Sequence, residues 1–185
     1  MLPDTLQVAL KEWQVVCDAL AAGRQIILLR KGGIYESAGE FEIEHRRFLL
    51  FPTYLHQNAA MLKAPLQVAK VSAEPGQVRL SLAGEITDII QLSNRAAMDR
   101  LDDQHIWARP LIDMRFNYRP ENPLYLLLVR AYLLRQAATI DNTPEYAGCK
   151  SWVPLEREVP IRGAIPALDE KQYAARRETI LQRIA

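Results

Sequence analysis

A chain of 185 residues that is 49% hydrophobic and 24% charged has material for one core and too many apolar residues for extended disorder. Lys and Arg number 23 against 22 Asp and Glu; a formal net charge of +1 gives no global field to draw in nucleic acid or an anionic membrane, so any anion site must be local. Cys17 and Cys149 sit in unrelated contexts, which argues against a disulfide or thiolate zinc site and for a reducing cytoplasm, and no run approaches the ~20 apolar residues of a membrane span or the order of a signal peptide.

In chain order, Leu6, Leu10, Trp13, Val16, Cys17 and Leu20 recur at helical spacing, which predicts a first helix capped by Asp4 with Gln7 behind it and stopped at Gly23. Gln25 to Leu29 carries consecutive apolar residues, the pattern of a strand covered on both faces and placed inside a sheet. The turn-rich "KGGIYESAGE" leads to a long strand over Phe41 to Phe51, with Phe41, Ile43 and His45 on one side and Glu42, Glu44 and Arg46 on the other. A bulge near Arg46-Arg47 accounts for the broken alternation that follows. Pro52 cannot donate to a ladder, so the chain is expected to leave the sheet there and carry Tyr54 and His56 into a loop or short helix.

Leu66 to Ser72 and Gln77 to Leu82, split by "AEPG", read as a hairpin, and Glu85 to Leu92 as a further strand after Gly84. Ser93 can cap a short helix to about Gln104 with Ala97, Met98 and Leu101 inward. "RFNYRPENP" reads as a loop and Leu124 to Leu134 as a strand. "TIDNTPEYAGCKSWVPL" is irregular, the prolines and glycine of "REVPIRGAIP" bar regular helix, and Asp169 with Gln172 caps a last helix bearing Tyr173, Arg177, Ile180, Leu181 and Ile184. The expected fold is α+β: a mixed or barrel-like β-sheet of about six strands flanked by an N-terminal helix, a short middle helix and a C-terminal helix. Residues 1–160 form one domain, and 161–185 a linker and a C-terminal helix packing on it.

Three segments, "LLRKGG", "FEIEHRRF" and "PTYLHQ", gather Arg30, Lys31, Glu42, Glu44, His45, Arg46, Tyr54, His56 and Gln57. These are ingredients for acid-base chemistry, a hydrolytic metal site or phosphate recognition, and equally for a solvated strand face and a hairpin end kept soluble by cations. The glycines match neither a Walker loop nor a dinucleotide fingerprint. A nuclease of the restriction-endonuclease type needs Asp/Glu-x-Lys on a strand. Asp169-Glu170-Lys171 reads instead as a helix cap, and Glu44-His45-Arg46 has arginine in place of the proton-handling amine. His45, His56 and His105 form no short-spaced zinc pair, and Cys149 has no local base. In "EYAGCKSW", Tyr146 and Trp152 with Lys150 can stack a base and hold its phosphate, or plug the open end of a sheet; Arg115, Tyr118 and Arg119 in "DMRFNYRP" can extend a basic surface or be ordinary loop residues.

The leading expectation is a non-catalytic nucleic-acid-binding module, for DNA or RNA, without metal or cofactor. Arg30, Lys31, Arg46, His56 and Lys150 meet phosphates and Tyr54, Tyr146 or Trp152 stack on a base. One alternative is a metal-dependent nuclease using Glu42, Glu44 and His45 with magnesium or manganese; the other is a protein-interaction domain with a solvated charged strand.

The blocks "ALKEWQVVCDALAAGRQIILLRKGG", "FEIEHRRFLLFPTYLHQ" and "YAGCKSWVPL" resemble signature blocks of a bacterial and archaeal family, domain of unknown function 1802. The resemblance runs from Ala9 to about Leu155, leaving the C-terminal helix outside it. It implies a nucleic-acid-processing or restriction-modification context, with a restriction-type nuclease as partner, and carries over no catalytic residue. The element order is also similar to that of small PUA-like barrels, which bind RNA or modified DNA bases; that likeness is one of fold.

Overall fold

The computed structural model describes residues 2–31, 36–37, 40–41, 45–63, 68, 71–148 and 150–185. Its strands are β1 (Thr5–Trp13), β2 (Ile27–Lys31), β3 (Glu36–Ser37), β4 (Glu40–Phe41), β5 (Arg47–Thr53), β6 (Gln77–Leu92), β7 (Leu124–Asp141), β8 (Trp152–Pro160) and β9 (Ile165–Pro166). The helices are α1 (Gln14–Ala21), α2 (Ala96–Asp99), α3 (Arg109–Asn117) and α4 (Glu170–Ile184). One sheet runs β2-β7-β6-β5-β1-β8 with β9 beside β7; β1 and β5 are parallel and the other neighbours antiparallel. The fold is therefore α+β with a mixed sheet, and of the two forms expected the sheet takes the open one.

The N-terminal helix is corrected to a strand followed by a two-turn helix. β1 lies between β5 and β8 and is covered on both faces. Leu10 joins the larger core with Val16, Ile27 and Phe48, while Leu6 and Ala9 join a second core with Leu49, Phe51 and Val153. A strand buried on both sides loses its alternation, and the register shift between Leu6 and Val8 leaves apolar residues at intervals that imitate a helix. The stop is where it was expected: Gly23 follows α1 at φ 62, and its N–H donates to the Leu20 carbonyl at 3.0 Å.

β2 is an edge strand rather than an inner one, hydrogen-bonded to β7 alone, yet Ile27, Leu28 and Leu29 are buried within the larger core. The strand expected over Phe41 to Phe51 is two pieces: β4 pairs with β3 in a separate ladder, and β5 begins at Arg47. Pro52 stays in the sheet opposite Glu12 of β1. β5 meets β6 only through Leu49, so the edge on which the proline lacks its N–H has no ladder to lose.

The two strands expected on either side of Gly84 are one. β6 pairs with β7 from Gln77↔Asp141 to Leu92↔Leu124, so among the described residues the partner of Gln77 to Leu82 is β7; of the strand expected before "AEPG", Leu66, Gln67, Ala69 and Lys70 lie outside the described residues, and Val68, Val71 and Ser72 lie in no strand. Gly84 is required by contact: a Cβ there would stand 2.9 Å from Phe48 Cε2. The middle helix is the single turn α2 with a 3-10 turn over Asp102–Gln104, capped by Asn94 rather than Ser93, and Ala97, Met98 and Leu101 are buried as expected. α3 occupies the start of the segment read as a loop; its Pro110 sits in the first turn, where a missing N–H is harmless, and Leu111 and Ile112 face inward. β8 places Pro154 and Pro160 on an outer edge, which lets a proline-bearing stretch read as irregular serve as a strand. α4 carries the expected capping box between Asp169 and Gln172, and buries Tyr173 and Ile180. No helix among the described residues is long and apolar enough to cross a membrane.

Candidate cationic cleft

Because β1 and β5 run parallel, their carboxyl ends, Lys11–Trp13 and Phe51–Thr53, emerge side by side. Arg30 and Lys31 at the end of β2, Arg115 from the last turn of α3, Leu55 and His56 after β5, and residues 142, 146–148, 150 and 151 complete a recess of about 490 Å³. Its lining holds Lys11, Arg30, Lys31, Arg115 and Lys150 against Glu12 and Glu74, a surplus of three positive charges in a chain whose formal net charge is +1.

Both carboxylates are already occupied. Glu12 is buried; its Oε2 accepts from Arg30 Nη1 at 2.9 Å and its Oε1 from the Trp13 N–H at 2.8 Å. Arg30 also donates to the Leu29 and Lys11 carbonyls, each at 3.0 Å, so the pair forms a neutral, hydrogen-bonded floor. Glu74 accepts from the backbone N–H of Tyr54 at 3.0 Å and of Leu55 at 2.8 Å, fixing the turn that carries His56.

Two cations tie the walls together. Lys31 Nζ donates to the Phe116 carbonyl at 2.9 Å, a favourable place for a cation at the C-terminal end of α3. Lys11 Nζ donates to the Tyr146 and Gly148 carbonyls and stands 5.8 Å from the centre of the Phe51 ring.

Arg115 differs. No carboxylate among the described residues forms a salt bridge with it, and its Nε is buried without a hydrogen-bond partner. Burial pulls its pKa down from the ordinary arginine value, Glu12 opposes this, and the Arg30 charge adds to it. An arginine remains protonated even so, which leaves a charge with unspent donors facing the recess.

Of the residues expected to meet nucleic acid, Arg30, Lys31, His56, Tyr146 and Lys150 come together in this recess. Arg46, Tyr54 and Trp152 do not line it. Arg46 is exposed just before β5; the Tyr54 hydroxyl donates to Gln14 Oε1 at 3.0 Å; and Trp152 packs edge-on against Phe48 and His45, both at 5.3 Å between ring centres. Tyr146 is a wall: its ring is buried edge-on to Phe51 at 5.9 Å, and its hydroxyl accepts from the Glu156 N–H at 3.1 Å. Glu42 and Glu44 lie outside the described residues, as does Cys149, and the described residues contain no cluster of His, Cys, Asp and Glu able to hold a metal ion. Lys11, Glu12, Trp13, Thr53 and Glu74 were not expected here. The signal for the first three is the charged pair closing an apolar run, and it is legible only once Thr5–Trp13 is read as a strand ending at a cleft.

The fold and the recess define a small α+β domain with a local cationic cleft. The chain belongs to the family described as Domain of unknown function (DUF1802), whose profile matches residues 9–179. The match extends beyond Leu155 into α4, so the resemblance takes in the first part of the C-terminal helix, which was expected to lie outside it. No curated protein matches. Among solved structures, an ASCH protein from Zymomonas mobilis is 11% identical with a TM-score of 0.43, over 95% of this chain and 93% of that chain. A single-residue mutant of it gives 11% and 0.44, over 97% and 99%. A likeness of that size says nothing of what the present chain binds.

Proposed function

We propose that the domain binds single-stranded nucleic acid through this cleft. The observation that carries the reading is the unmatched charge of Arg115 in a recess with a surplus of three positive charges, in a nearly neutral chain. Arg115, Lys31 and Lys150 hold phosphates, and the apolar flank of Trp13 and Leu55 takes a base. The volume falls in the range of about 300–1,000 Å³ typical of ligand recesses. A non-catalytic reader of this kind suits the processing context that the family resemblance implies, where a nuclease partner supplies the chemistry.

Fluorescence anisotropy with labelled eight-nucleotide DNA and RNA strands tests it. About three phosphate contacts predict a slope of roughly −2 in log affinity against log salt, so binding weakens about 20-fold between ~50 and ~200 mM salt. Arg115→Met with Lys150→Ala should flatten that slope by about 1.4. Absence of binding, or binding indifferent to both salt and these substitutions, refutes the proposal. Magnesium-dependent cleavage that disappears in Glu44→Ala would favour the nuclease alternative.

A further inference from the structure

We infer that Tyr118 and Arg119 form a second nucleotide subsite, an exposed stacking platform just beyond Arg115, so that the cleft's ligand is a polynucleotide strand rather than a mononucleotide. The inference rests on the nucleic-acid reading of the cleft. Tyr118 is 55% exposed, more than any other large apolar side chain described. A solvated tyrosine alone is ordinary. This one has the Arg119 guanidinium 5.4 Å from its ring centre, and Arg119 is the one described non-glycine residue with a positive φ, at 44°.

Arg119 also precedes Pro120, and a residue before proline prefers extended backbone. Its carbonyl accepts from the Asn122 N–H at 2.9 Å, closing a turn that glycine or asparagine would make with less strain. Strain of this kind, retained at an exposed arginine, is what a binding site keeps and a plain turn would lose.

The platform's backbone is anchored to α3. The Tyr118 N–H donates to the Met114 carbonyl at 2.9 Å, and Lys31 from the cleft holds the Phe116 carbonyl, so both are tied to the C-terminal end of that helix. Arg115 and Tyr118 are about 5 Å apart along that axis, a step that neighbouring nucleotides of one strand can bridge. With arginine on one face of the ring, the other face is left for a base, and the guanidinium fork for the adjoining phosphate.

The test pairs a labelled eight-nucleotide pyrimidine strand, as DNA and as RNA, with competition by the corresponding 5′-mononucleotide. Tyr118→Ala should weaken strand binding about tenfold and leave the mononucleotide constant unchanged, and Tyr118→Trp should restore strand binding. Arg119→Gly should raise Tm by relieving the strain while weakening the strand. If the wild-type strand binds but Tyr118→Ala binds it within twofold, the platform is refuted and the cleft stands. If the wild type binds neither strand nor mononucleotide, both fall.

Discussion

Replacing Glu12 by leucine should damage the fold more than any other single change at the cleft. The Glu12 and Arg30 side chains are 7% and 11% exposed and joined at 2.9 Å, so the substitution leaves a guanidinium charged inside the protein and the Trp13 N–H without its acceptor. Breaking a buried pair from one side costs about 3–5 kcal/mol. In a chain of this size each kcal/mol moves Tm by about 2–4 °C, so the expected fall is about 6–20 °C. Glu12→Leu together with Arg30→Met removes both charges from a volume that can be filled by apolar atoms, and should regain most of the loss. Thermal and urea unfolding of the two single variants and the double variant give the coupling directly. The same Glu12→Leu protein, assayed well below its midpoint, should bind a labelled single strand more tightly than the wild type, because the cleft gains a net positive charge. The reasoning fails if Glu12→Leu lies within ~1 kcal/mol of the wild type, the worth of a surface pair, or if the double variant is no more stable than the single.

Gly84→Ala places a methyl 2.9 Å from Phe48 Cε2 and 3.0 Å from Val129 Cγ1, at a ring that is fully buried; it should lower stability by about 1–3 kcal/mol, read as a lower urea midpoint at unchanged m-value. An unchanged midpoint would mean that β6 and β5 separate easily there. His105 is 5% exposed, and burial, then the nearby Lys63 charge, push its pKa down to about 4. The unfolded chain, with a histidine near 6.5, therefore takes up the proton first. Stability is full above pH 6.5 and falls towards pH 4, by about 3 kcal/mol at one pKa unit per 1.36 kcal/mol. Urea midpoints should show this decline in the wild type and lose this component of it in His105→Gln; equal slopes in the two would refute the shift.

The elements most legible in the sequence were those with local chemistry: the Gly23 stop, the Asp169–Gln172 capping box, the inward Ala97, Met98 and Leu101, and the strand opening at Leu124. What failed was set by partners distant in the chain. Thr5–Trp13 is a strand because β5 and β8 flank it, and its residues serve two cores at once, so its own spacing pointed to a helix. Pro52 reads as an exit from the sheet, Pro154 as part of an irregular stretch and Pro160 as a bar to helix, yet each occupies a strand whose second edge carries no ladder there, something no local pattern states. The cleft was half legible for the same reason. Arg30, Lys31, His56 and the 146–150 loop were named from composition, whereas Glu12 and Glu74, which decide how much of that charge is free, come from segments read as helix face and turn.

A balance of 23 cations against 22 anions does not disperse the field evenly. Away from the cleft, several charges are matched locally: Arg47 with Glu85, Arg95 with Asp99 and Asp113, Arg130 with Glu170, Arg177 with Asp88 and Arg183 with Asp103. These pairs are mostly solvent-facing and add little to stability individually, but each removes a charge from the long-range field. Within the cleft the two carboxylates are turned onto backbone amides and onto Arg30, and Arg115 has none. A phosphate approaching through screened solvent therefore meets a local surplus of positive charge at this recess, and the whole-chain charge, which argues against a nucleic-acid partner, is the wrong quantity on which to judge it.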